Sequence, residues 1–98
     1  MTRRELEQAL ETRCVERIEA LGGMALKLVI PGVRGFPDRS CMLPGARIFF
    51  IEFKRLRTGR VSAQQHTFRV LLHQMGFGYY TIDTDEQFYE ALEREMGR

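Results

Sequence analysis

The chain has 98 residues, 44% hydrophobic and 29% charged, with a formal net charge of +2. That length suits a single domain over residues 1–98 with its own core, and the composition excludes disordered, collagen-like and coiled-coil classes. The longest uncharged apolar run, Ile48 to Ile51, is far short of the ~20 residues of a membrane span, and the N-terminus enters a charged helical pattern instead of a signal peptide's apolar core.

A cytoplasmic protein with reduced thiols and no membrane partner is expected. Cys14 and Cys41 lack the paired spacing of a zinc site and read as buried small apolar side chains. The net charge permits a polyanion partner without arguing for one. Its distribution is uneven: Lys54 to Arg60 carry four positive charges and no negative one, whereas the last fourteen residues are mostly acidic. On charge alone the basic run reads as a solvated loop.

Thr2 with Glu5 has the spacing of a capping box, and Leu6, Leu10, Cys14, Ile18 and Leu21 then recur at helical spacing up to Gly22-Gly23. Residues 24 to 30 alternate Met24, Leu26, Leu28 and Ile30 with other residues and predict a strand closed by Pro31-Gly32. After a Gly/Pro-rich loop over 31–37, the runs RSCML and RIFFIEFK flank Pro44-Gly45 and predict an antiparallel pair. Ser62 with Gln65 opens a second helix bearing Phe68, Leu71, Leu72 and Met75; GYYTID predicts a strand; Thr84 with Gln87 opens a last helix bearing Phe88, Ala91, Leu92 and Met96. The order α, β, β, β, α, β, α favours a mixed sheet covered by helices, because a parallel pair needs a crossover that buries its faces.

Side chains alternate along a strand, so Glu52 and Lys54 share a face with Ile48 and Phe50, while Phe49, Ile51 and Phe53 take the other. Both faces begin apolar, which makes this strand central. Charges at the end of a central strand are costly to desolvate without partners or a metal. A hairpin turning at Pro44-Gly45 lays Asp38 opposite residue 51 or 52, so two carboxylates and an ammonium converge. Oxygen ligands of this kind suit Mg²⁺ or Mn²⁺. Alone, a Glu-x-Lys pair is usually a surface ion pair worth little; the apolar neighbours and Asp38 shift the balance.

Asp38, Glu52 and Lys54 reproduce the Pro-Asp…Glu-x-Lys signature, and LGGMALKLVIPGVRGFPDR with IEFKRLRTGRVSAQQ resembles the VRR-NUC (virus-type replication-repair nuclease) family of the PD-(D/E)xK superfamily. The resemblance covers about Glu7 to Glu90. It implies an α/β, restriction-endonuclease-like αβββαβ core, here with an added C-terminal helix. It also implies metal binding by Asp38, Glu52 and the Phe53 carbonyl, a catalytic Lys54, a helix glutamate acting through water (Glu11, or Glu7 one turn earlier) and a site glutamine, Gln65. Lys27 and Arg39 match positions that the family keeps basic, and Arg55, Arg57 and Arg60 would join them in holding DNA by its backbone. Ile30 and Ala63 depart from the family's usual small polar residue and proline, away from the chemistry.

The expected activity is a Mg²⁺- or Mn²⁺-dependent DNA nuclease, structure-specific in replication, recombination or repair, of phage or bacterial origin and acting as a homodimer. The competing expectation is a non-catalytic DNA-binding or assembly module that keeps the fold; an ordinary small partner-binding domain is a third. Gln65 also suits the third position of a capping box. His66 and His73 are too far apart for joint ligation, and of Tyr79 and Tyr80 one is expected in the core while either could stack on bases.

Overall fold

The computed structural model describes residues 1–53 and 63–97. Lys54, Arg55, Arg57, Arg60 and Ser62 therefore lie outside the described residues. The order is α1 (Arg3–Ala20), β1 (Met24–Leu26), β2 (Arg39–Leu43), β3 (Arg47–Phe53), α2 (Ala63–Gln74), β4 (Gly78–Ile82) and α3 (Asp85–Met96). The strands form one mixed sheet in spatial order β1-β2-β3-β4, antiparallel between the first three and parallel between β3 and β4. The parallel pair is the one that α2 separates in sequence, as its crossover requires.

Two of the expected capping boxes form. Thr2 and Thr84 each accept from the backbone N–H three residues on, and Glu5 and Gln87 reach back to the cap backbone. Each box satisfies amides that a helix start would otherwise leave without partners. The β2–β3 hairpin pairs Leu43 with Arg47. Its three-residue turn needs two residues at positive φ, Gly45 at 89° and Ala46 at 59°.

One face of the sheet builds the core. Phe49 and Ile51 of β3, Cys41 of β2 and Ala25 of β1 pack with Leu10, Cys14 and Ile18 of α1 and with Phe88, Ala91 and Leu92 of α3. The alternation read from β3 is thus correct, and Glu52 takes the opposite face. Both cysteines are free and buried, and burial pushes each thiol up to about 12. No described helix is long and apolar enough to cross a membrane.

Two expectations need correction. The first strand is Met24–Leu26, not 24–30, and its large residues face outward: Met24 is 51% and Leu26 38% exposed, while small Ala25 is buried. In β1, an edge strand, it is Ala25 that joins the core cluster, and alternation alone does not say which set faces the helix. The stripe read for α2 is likewise incomplete, since Leu72 is buried and Phe68 half-buried but Leu71 and Met75 are 47% and 64% exposed. Met96 of α3 is exposed as well.

Candidate active site

The second face of the sheet is where the polar residues gather, under the N-terminal part of α2. Extending the β2–β3 register one residue beyond the Arg39–Ile51 pair brings Asp38 alongside Glu52. Asp38 is fixed there by its own oxygen: Oδ2 accepts the Phe53 amide at 2.8 Å, which ends the hairpin with a side chain in place of a backbone carbonyl.

The loop leading to Asp38 is held by aromatic packing. Phe36 meets Phe50 of β3 edge-on at 6.0 Å between ring centroids and Phe68 of α2 at 5.3 Å; Phe50 in turn meets Phe77 at 5.5 Å. Gly35 sits at φ 80° with the first turn of α2 so close that any Cβ would collide with Gln64 and the Gln65 amide. A glycine is required here on both counts.

Glu52 is only 6% exposed, and each carboxylate oxygen has a donor. Gln65 Nε2 donates to Oε1, and the Tyr79 hydroxyl donates to Oε2 at 3.5 Å. Burial, then the charge of Asp38 and a hydrogen bond between the two carboxyl groups, push Glu52 up to about 8. Burial and the neighbouring Glu52 charge also hold the Tyr79 phenol well above its ordinary value, so it stays a donor. Arg69, one turn beyond Gln65 on α2, places its guanidinium 5.6 Å from the Tyr79 ring centroid and donates to Thr81 Oγ1.

The remaining expected residues divide differently. Glu11 faces the core side of the sheet, where Arg39 Nε donates to it at 2.7 Å and Lys27 Nζ lies 3.9 Å away; Arg39 also donates to the Ala25 carbonyl at 3.0 Å. The three form a cluster of their own, and Arg39 points away from Glu52 because it pairs with Ile51. Glu7 instead lines a cleft of about 220 Å³ with Phe53, Ile82 and Asp83, at the end of β3 where Asp38 is held. Among the described residues no three His, Cys, Asp or Glu side chains come together to hold a metal ion.

Tyr80 takes the core side, packing on the apolar cluster and donating to buried Glu95, while Tyr79 takes the site side. For Tyr79 the sequence suggested only the core or a stack on bases, and for Arg69 nothing. What brings them in is the parallel register of β3 with β4, Phe50 beside Tyr79 and Glu52 beside Thr81, which no local pattern encodes.

Set beside known proteins, the chain is similar to a solved structure described as a VRR_NUC domain, with a TM-score of 0.81 and 27% identity over 90% of this chain and 95% of that one. A stretch of 48 residues is 44% identical to "Putative nuclease p44" of Acyrthosiphon pisum secondary endosymbiont phage 1; the match spans 49% of this chain and about half, 52%, of that protein. No family model matches the chain. The resemblance carried by the motifs extends to the fold: the described residues form three helices and a four-stranded mixed sheet, an α/β fold matching the VRR_NUC structure.

Proposed function

We propose that this chain, which has the fold of the VRR-NUC nucleases, is a divalent-metal-dependent DNA nuclease whose centre is Asp38 and Glu52. The observation that carries the reading is the meeting of these two carboxyl groups. One of them, Glu52, is almost fully buried, and the charge of Asp38 beside it raises the cost of ionising it further. Folding brings two acids together, an arrangement that a divalent ion relieves. The donor set is all oxygen, as Mg²⁺ and Mn²⁺ prefer, and two carboxylates with water suffice for either.

Asp38, Glu52 and the Phe53 carbonyl would hold the ion. When bound, it would offset charge on the phosphate and lower the pKa of an attacking water. Asp38 contributes a rigid carboxylate, tied by the Phe53 amide to the end of β3. Gln65 orients Glu52. Lys54, two residues after Glu52 in the sequence, would steady the water or the charge gathering on phosphate oxygen. Of the two α1 glutamates, Glu7 suits the water-mediated role better, since it lines the cleft beside Phe53 whereas Glu11 is engaged with Arg39 and Lys27.

Arg55, Arg57 and Arg60 would bind the DNA backbone without reading sequence, which favours branched, flap or junction DNA over a sequence-defined site. Lys27, exposed beside Glu11, remains a candidate phosphate contact. A homodimer would present two centres to two strands. Surface for it exists in Met24, Met42 and Ile48, a row across β1, β2 and β3 on the face opposite the core, of which Met24 and Ile48 are exposed. A monomeric mass by light scattering at assay concentration would remove the dimer from this reading.

The test is incubation of the purified chain with single-strand, duplex, flap, fork and four-way junction DNA in Mg²⁺, Mn²⁺ or EDTA, beside Lys54→Ala. Metal-dependent products that Lys54→Ala does not make are expected. Binding without cleavage in every metal would favour the non-catalytic module instead.

A further inference from the structure

We infer that Tyr79 is a positioning residue for Glu52, acting with Gln65 to fix the orientation of the carboxylate that the metal-nuclease reading places at the centre. The inference rests on that reading for its purpose, but the contact itself does not. A glutamate's terminal torsion is broad, so a carboxylate held through one oxygen can still turn. Here Gln65 approaches one oxygen from α2 and Tyr79 the other from β4. A second donor on the other oxygen, through a long hydrogen bond at 3.5 Å, narrows that freedom.

Tyr79 is itself held in place. Its ring is half-buried, the Arg69 guanidinium lies over it at 5.6 Å from the centroid, and Arg69 is anchored by donating to Thr81, the residue that pairs with Glu52 across β3 and β4. Gln65 and Arg69 lie four residues apart and so share one face of α2. A closed circuit results: Glu52 to Gln65, along one helical turn to Arg69, across to Tyr79 and back to Glu52. The ring face beneath Arg69 is taken, which sets this role apart from base stacking on that face.

The experiment uses the full chain and the variants Tyr79→Phe, Glu52→Ala and the double substitution. Phenylalanine keeps the ring and its contact with Arg69 and removes only the hydroxyl. Unfolding by denaturant in EDTA closes a double-mutant cycle, and calorimetric titration with Mn²⁺ compares the parent with Tyr79→Phe. The expected results are a stability effect of Tyr79→Phe that disappears in the Glu52→Ala background and an Mn²⁺ affinity weakened about tenfold, as loss of a group orienting a ligand typically gives. Strictly additive effects in the cycle, or equal Mn²⁺ affinity in parent and Tyr79→Phe, would overturn the inference. A parent that binds no Mn²⁺ would overturn the metal reading, and the cycle would then decide the Tyr79 contact alone.

Discussion

The two faces of this sheet are made from the same strands and do opposite work. On the α1/α3 face, Phe49, Ile51, Cys41 and their helical partners are buried with no polar group from β3 among them. On the α2 face the same strand presents Phe50 and then Glu52, an acid as buried as the phenylalanine, at 6% and 7% exposure. The first face gains free energy by removing apolar surface from water. The second spends some of it to hold two carboxyl groups together. Residues one apart in β3 should therefore respond to substitution in opposite ways.

The largest expected effect is on the core face. Phe49→Ala removes a ring with no exposure and should cost about 3–5 kcal/mol in denaturant unfolding; a loss below about 1 kcal/mol would mean that this face is less consolidated than its burial implies. On the other face, Asp38→Asn should leave stability unchanged or raised, because it relieves the repulsion felt by Glu52, while cleavage falls at least about 100-fold, roughly 2.7 kcal/mol of barrier. A variant that unfolds and still cuts would invert the comparison.

A smaller effect is the pH dependence of the metal-free chain. Glu52 is raised from an ordinary 4.5 to about 8, so between those values the folded chain keeps a proton that the unfolded chain releases. Its stabilising contribution is full below pH 4.5 and is lost as pH rises through 8. Thermal melts in EDTA should show that decline, and Glu52→Gln should flatten it; an unchanged slope would place the titration elsewhere. Smallest is Thr84→Ala, at about 1 kcal/mol in denaturant unfolding from the lost cap of α3.

How far the site could be read from the chain depends on how local each contact is. Asp38 opposite Glu52 follows from a short hairpin whose turn residues are plain in the sequence, and the capping boxes at Thr2 and Thr84 are three-residue patterns. Glu7 and Glu11 lie one turn apart on the same helix, and periodicity does not choose between them; only the packing of α1 turns one toward Phe53 and the other toward Arg39. Leu28 and Ile30 continue an alternation that has no strand beneath it, because the chain leaves the sheet at Leu26.

By itself, the sequence determined the order of elements, the central strand with apolar residues on both faces, and the acid pair that a hairpin must bring together. These are consequences of side-chain period and turn chemistry, which act over a few residues. Tertiary structure alone decided that Tyr79 and Arg69 join Glu52 and that Arg39 turns away from it. The β3–β4 register and the seating of α1 are set by the summed packing of distant residues, and no neighbouring pair in the chain carries that information.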